Sequence, residues 1–251
     1  MIGWLIYSAV DVEKNKYYIQ MYKDKFKEHF IEIKLVIVEE LENMEQYVKC
    51  NKVDFAINRS RNHIMGELLE QKGVRVFNSS SVTRIANNKG ITYEFLKDVV
   101  PFLAVKYGNE IIESKIENKG FEYPYVIKSC SGHGGSQVFL VNNRKEEEQA
   151  VKAINGQEYV VQQCCSDLGR DVRVYIIGNK IIKAVLRTST ESFKSNYSLG
   201  GKVQEYTLNN EEIAMVERIV DKLPLDYAGI DFTFHNGKAV FNEIEDAVGA
   251  R

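Results

Sequence analysis

Ala228-Gly229-Ile230-Asp231-Phe232-Thr233-Phe234-His235-Asn236-Gly237-Lys238-Ala239-Val240-Phe241-Asn242-Glu243-Ile244-Glu245 is the stretch from which the fold is read. Two strand-like runs flank Asn-Gly, a strong hairpin signal. Glu243 and Glu245 are two apart on one strand and so share a face. The place of Asp231 depends on the turn. A two-residue Asn236-Gly237 loop pairs His235 with Lys238 and sets odd positions of one strand beside even positions of the other. A three-residue loop, with Gly237 left-handed, pairs Phe234 with Lys238 and keeps odd with odd. Phe232, Phe234, Val240 and Ile244 are all even, and a one-residue slip would split that apolar face, so the three-residue loop is expected. Asp231, Glu243 and Glu245 then converge on the opposite face. Three carboxylates there repel unless a cation sits among them, and oxygen sets of this kind suit magnesium that also bridges to phosphates. A solvated acidic face is the competing reading. Asn242 falls on the apolar side of the pattern without an evident role.

Upstream, Tyr123-Pro124-Tyr125-Val126-Ile127-Lys128 reads as a strand ending in lysine, followed by Ser129-Cys130-Ser131-Gly132-His133-Gly134-Gly135-Ser136 and a second strand from Gln137. Glycines let backbone N–H groups turn toward a phosphate, and a lysine adds a point charge beside them. The spacing is not that of a Walker A loop, and an ordinary glycine-rich hairpin competes with phosphate binding. In Gly169-Arg170-Asp171-Val172-Arg173-Val174, Asp171 and Arg173 alternate onto one face of a strand, where a cross-strand surface ion pair is a sufficient explanation. The segment from Arg187 to Lys202 is cationic, polar and glycine-bearing, which suits an anionic group or a lid.

The first third alternates strand and helix. Gly3–Tyr7, Ile33–Val38, Asp54–Ile57 and Val74–Phe77 are strand-like. Residues 13–30, 41–50 and 63–72 have helical spacing, and Gly73 stands at a helix stop. Such alternation implies a parallel sheet, so residues 1–83 are expected to form a small Rossmann-like α/β domain, without the GxGxxG of a dinucleotide site. Residues 84–251 are expected to be α+β: one helix over 87–100 with Lys89 near its start, then strands at 125–128, 137–141, 159–163, 171–177 and 180–187, with helices at 145–154 and 210–222. Ser8, Asn58 and Arg59 lie at expected strand ends, where α/β sheets bind ligands, and Arg59 could hold a substrate carboxylate.

A chain of 251 residues that is 44% hydrophobic can bury a substantial core. A net charge of -2 gives no field that would draw nucleic acid or a membrane surface. No apolar stretch approaches the ~20 residues of a membrane span, and Met1 leads into a short apolar run without a cationic start, so no secretory signal is expected. Cys50, Cys130, Cys164 and Cys165 fit no zinc spacing and are read as reduced thiols of a cytoplasmic protein. The composition leaves room for a homo-oligomer.

The joint order of these features resembles the ATP-grasp superfamily, and is most similar to its RimK-like branch of ribosomal-protein glutamate ligases. The likeness is carried by Asn-Lys-Gly at 88–90, Tyr-Pro-Tyr-Val-Ile-Lys at 123–128, the Gly132 to Ser136 loop, Gly-Arg-Asp-Val-Arg-Val at 169–174, Phe-Lys-Ser-Asn at 193–196, Gly-Ile-Asp at 229–231 and Asn-Glu-Ile-Glu at 242–245. The resemblance implies an ATP-grasp fold of two α+β subdomains, about 84–162 and 163–251, with ATP between them. It implies a carboxylate–amine ligase acting through an acyl phosphate. Lys89 and Lys128 would contact phosphates, under a loop including Ser131, Gly132, Gly134, Gly135 and Ser136. Gln163 and Cys164 would form the adenine hinge, with Asp171 near the nucleotide and Lys194, Ser195 and Asn196 by the γ-phosphate. Arg187, with Lys128, would be catalytic. Asp231, Glu243 and Glu245 would hold Mg2+ or Mn2+, usually as two ions. Lys202 joins Arg59 as a substrate candidate. Partners would be small-molecule or peptide carboxylates and amines; ligation onto a ribosomally made peptide or protein tail, and a catalytically silent ATP-binding regulator, are the alternatives. This chain departs from the branch in carrying Glu245 where Asn is usual, Gln163 where the hinge usually begins with Glu, and Asp246-Ala247-Val248-Gly249 where the strand usually runs into Pro-Gly.

Overall fold

In the computed structural model, which describes residues 1–108, 121–135, 137–195 and 201–249, the first apolar run is strand β1 (Ile2–Tyr7). It does not alternate because both of its faces are buried. Trp4 and Ile6 enter one core with Val36, Ala56, Met65 and Leu69, while Leu5 and Tyr7 enter another with Ile19, Ile33 and Ile57. Helices α1 (Ala9–Val12) and α2 (Lys16–Lys27) lead to β2 (Glu32–Ile37), α3 (Met44–Cys50) to β3 (Phe55–Asn58), and α4 (His63–Gln71) to β4 (Arg75–Phe77). The sheet order is β2-β1-β3-β4 and its pairings are parallel. The expected helix over 13–30 is interrupted by a 3-10 turn at Glu13–Asn15 and ends at Lys27.

This sheet belongs to a compact unit made of Met1–Arg84, Leu225–Ala228 and the stretch from Asp246 on; the second unit is Ile85–Pro224 with Gly229–Glu245. Asn78, fully buried, joins the pieces of the first unit. Its Oδ1 accepts from the N–H groups of Asp226 (2.9 Å) and Tyr227 (3.1 Å), and its Nδ2 donates to the carbonyls of Tyr227 (2.7 Å) and Asp246 (3.2 Å).

The helix expected over 87–100 is α6 (Lys89–Leu96), shorter than expected, and an unexpected helix α5 (Ser80–Ala86) precedes it. Between them stands Asn88, whose side chain accepts from the Ile91 N–H and caps α6. Asn43, Asn62, Asn143 and Asn209 cap other helices in the same way, each cap being worth about 1 kcal/mol. The second unit then builds β5 (Val105–Tyr107), β6 (Tyr125–Ser129), β7 (Val138–Val141), α7 (Arg144–Ile154) and β8 (Tyr159–Gln163). These strands form an antiparallel sheet of order β5-β8-β6-β7, on which α7 packs through Ala150 and Ile154. There follow β9 (Arg170–Ile177), β10 (Lys180–Thr188), β11 (Lys202–Glu205), α8 (Asn210–Lys222), β12 (Tyr227–His235) and β13 (Lys238–Glu245). Their sheet has the order β11-β10-β9-β12-β13. The short strands β5 and β11 were not expected.

The hairpin of β12 and β13 corrects the expected turn. His235 pairs with Lys238, so the loop has two residues, and Asn236 (φ 51°) and Gly237 (φ 75°) are both left-handed, as a type I′ turn requires. The parity this would impose is undone further along. Phe232 faces Phe241 while Asp231 faces Glu243, so Asn242 is an extra residue in a β-bulge. The bulge lets Phe232, Phe234, Phe241 and Ile244 all be buried while Asp231 and Glu243 remain register partners. Val240, expected in the core, pairs with Thr233 and is only half-buried.

Candidate active site

Lys89 is the first residue of α6 and is held there by the Asn88 cap and by its own N–H, which donates to the Cys130 carbonyl (3.0 Å). Its buried side chain donates to the Gly132 carbonyl (2.6 Å) and lies 3.8 Å from Glu243 Oε2. Lys128, near the end of β6, donates to Asn242 Oδ1 (2.7 Å), which gives the bulge residue its role. Lys194 donates to the Gly135 carbonyl (2.5 Å). The glycine loop is therefore gripped by a lysine at each side, and Gly134 (φ 60°) and Gly135 (φ 76°) take a backbone conformation that side chains resist. Burial pushes Lys128 down to about 8, with Lys89 acting the same way and the Glu243 carboxylate opposing. Burial also lowers Lys194.

Lys89, Lys128, Gly135, Gln163, Asp171, Lys194, Ser195 and Glu243 line one cavity of about 100 Å³, with Leu103, Val126 and Leu168 among its apolar walls. Next to it, a smaller recess sharing Lys89 and Glu243 is lined by Gly132, Gly134 and Glu245. These are most of the residues expected at the site. Cys165, not Cys164, faces the cavity, and Ser131 is exposed away from both recesses. Ser136 and Asn196 lie outside the described residues. Lys202 does not join them: it is exposed on β11, opposite Thr188. Arg59 belongs to the first unit, where Nε donates to Tyr7 Oη (2.8 Å) and Nη2 to the carbonyls of Ala247 (2.9 Å) and Val248 (3.2 Å). Those bonds tie down the chain end after β13.

Asp231 and Glu245 share the Arg173 guanidinium and Glu243 is the register partner of Asp231, but the three acids are not assembled as a metal site. Among the described residues no three His, Cys, Asp or Glu side chains are gathered so as to hold a metal. Two arginines hold the acids instead. Arg173 donates from Nε and Nη2 to Asp231 Oδ1 and Oδ2, both at 2.7 Å, and from Nη2 to Glu245 Oε2 at 2.9 Å. Arg187 grips Asp171 in the same forked way (2.6 and 2.8 Å) and reaches Asp231 Oδ2 at 2.7 Å. Burial alone would raise the Asp231 carboxyl, but Arg173 and Arg187 outweigh it and hold it down at about 2. Burial, with the charge of Asp231, raises Asp171 in spite of Arg187. Asp171 and Arg173 do make cross-strand ion pairs, with Arg187 and Asp231, but these are buried and not on a sheet surface.

Sequence reasoning did not single out Tyr93, whose buried hydroxyl donates to the Asn242 carbonyl (2.8 Å) and accepts from Gln162 Nε2 (3.1 Å). It braces α6, β8 and the bulge together. Nothing in its local sequence distinguishes it from a core tyrosine.

Lys89 from α6, Lys128 from β6 and Lys194 from the segment after β10 line one cavity with the glycine loop and Glu243, an arrangement of cations and acids suited to a polyanion. Comparison with known proteins is more specific. The model of the RimK-like ATP-grasp domain matches residues 78–251, and the chain belongs to that family of ligases, which form carbon–nitrogen bonds and in general use ATP with Mg2+. It is 31% identical over 251 residues to "Uncharacterized protein MG011 homolog" of Mycoplasma pneumoniae, covering 98% of this chain and 84% of that one. It is 30% identical over 189 residues to β-citrylglutamate synthase B of Danio rerio, covering 72% of this chain and 47% of that protein. The solved RimK domain protein of Sphaerobacter thermophilus superposes with a TM-score of 0.77 at 20% identity, over 100% of this chain and 93% of that one. No helix among the described residues is long and apolar enough to cross a membrane.

Proposed function

We propose that this chain joins a carboxylate to an amine at the expense of ATP, through an acyl phosphate, with release of ADP and phosphate. The observation that carries the reading is the meeting of Lys89, Lys128 and Lys194 with the glycine loop and Glu243 in one recess. The adenine lies against Leu103, Val126 and Leu168, with the Gln163 and Cys164 segment as hinge. A cleft of about 100 Å³ is tight for a nucleotide, so Lys194 exchanges the Gly135 carbonyl for a phosphate as ATP enters. Magnesium fits the donor set: Glu243 and Glu245 would hold it, Asp231 joining as its guanidinium partners turn toward the phosphates, with two ions expected. The metal supplies neutralisation of charge on the phosphates.

A substrate carboxylate oxygen attacks the γ-phosphorus, and the bond to the β-bridging oxygen breaks to release ADP. Lys128 and Arg187 offset charge on the phosphoryl group in flight. The amine nitrogen then attacks the acyl carbon; phosphate leaves and the nitrogen loses a proton. Holding both substrates in one recess supplies much of the rate, and the glycine loop keeps water from the intermediate. The likeness to β-citrylglutamate synthase supports a small acid as one substrate.

We read residues 1–83 as a Rossmann-like domain and 84–251 as an ATP-grasp domain of two halves. The four free thiols accord with a reducing, cytoplasmic setting. The test is ADP release across a panel of amino acids, small acids and short peptides, with product masses recorded. A conjugate with the mass of acid plus amine less one water is expected. Nucleotide binding without turnover on any acid and amine pair would favour a regulatory role.

A further inference from the structure

We propose that Arg173 is a positioning residue that acts as a built-in counter-cation. It keeps Asp231 and Glu245 gathered while no divalent ion is bound, and it must yield Glu245 before one can be held. The inference rests on the ligase reading of this site and deepens it.

Asp231 is fully buried, yet its carboxyl is ionised and accepts three hydrogen bonds, two from Arg173 and one from Arg187. A carboxylate so placed is stable only if paired. Arg187 divides its fork, giving two hydrogen bonds to Asp171 and one to Asp231, so Arg173 supplies two of the three bonds that Asp231 accepts. Arg173 pairs with acids of β12 and β13. It spends its fork on Asp231 and then reaches across to Glu245 Oε2 at 2.9 Å with the same Nη2. A guanidinium nitrogen between two carboxylates from facing strands stands where a divalent ion bridging them would be drawn. Glu245 is the member able to change partner, since its side chain is 29% exposed against 1% for Asp231. Glu243, 32% exposed, is the neighbour it would join. The acid at position 245 thus has a use in the metal-free protein: an amide there would carry no charge for Arg173 to bridge.

A merely structural arginine and a counter-cation differ in one measurable respect. Replacing a structural arginine weakens everything, whereas removing a competitor for the carboxylates tightens metal binding. Mn2+ binding to the full chain, with ADP present, is followed by electron paramagnetic resonance, and the melting temperature is recorded with and without Mn2+. For Arg173→Met, a lower metal-free melting temperature is expected, together with a larger rise on adding Mn2+ and Mn2+ affinity at least 10-fold tighter than wild type. Arg173→Lys, which keeps the charge but cannot fork, should fold more readily and show the same changes to a lesser degree. Unchanged or weaker Mn2+ affinity in either folded variant overturns the proposal while leaving the ligase reading intact. Failure of the wild type to bind Mn2+ at all, even with ADP, overturns the site reading itself and this inference with it.

Discussion

Nucleotide binding should draw a proton from solution, and Lys128 sets how much. In the free protein burial holds this lysine at about 8, against an ordinary 10.5. A triphosphate beside the ammonium favours the charged form and returns it toward the ordinary value. At pH 7 nearly all of the group is already protonated, so uptake is only about 0.1 proton; at pH 8 it is about 0.5, and at pH 8.5 about 0.75. The same shift corresponds to about 3 kcal/mol. Its sign for stability follows from the depressed value: charged Lys128 is disfavoured in the free protein below pH 8, and that cost fades as pH rises from 8 to 10.5. Titration calorimetry with magnesium and a non-hydrolysable ATP analogue, in two buffers of different ionisation enthalpy, measures the uptake at each pH. Lys128→Gln should leave only the smaller contribution of Lys194, whose value burial also lowers. A variant that still binds nucleotide and takes up as many protons as wild type at pH 8.5 would refute the placement of Lys128 against the phosphates.

Tyr93→Phe strands the Asn242 carbonyl and Gln162 Nε2 in the interior; a loss of about 2 kcal/mol in urea unfolding is expected, and a loss below half of that would mean that water replaces the hydroxyl. Gly237→Ala meets no atom within 4 Å but must hold φ near 75°, so it should cost about 1 kcal/mol of stability through backbone strain alone, with Mn2+ affinity unchanged.

The sheets and the acidic cluster were legible because they follow from spacing. Alternation fixed which strand residues share a face, and the Asn-Gly pair marked the hairpin. The turn was misread because one apolar face was taken to need one register throughout. The protein instead uses the tighter turn and absorbs the mismatch at Asn242, the residue that had seemed out of place. A polar side chain on the apolar side of a strand was the available sign of a bulge. The arginine partners were not legible. Cross-strand partners were expected for Asp171 and Arg173, but which residues they are follows only from the order β10-β9-β12. The start of α6 at Lys89 could have been found, since Asn88 is one of five asparagines used alike as caps.

Asn78 carries a consequence for how the molecule is made. During synthesis the first 84 residues leave the ribosome long before Tyr227 and Asp246, whose backbones complete the bonding of that one buried amide. The Asn78 amide therefore stays without these partners while the whole of the intervening chain is produced. A chain arrested before residue 225 should leave the strands of residues 1–84 more vulnerable to protease than one carried past Asp246.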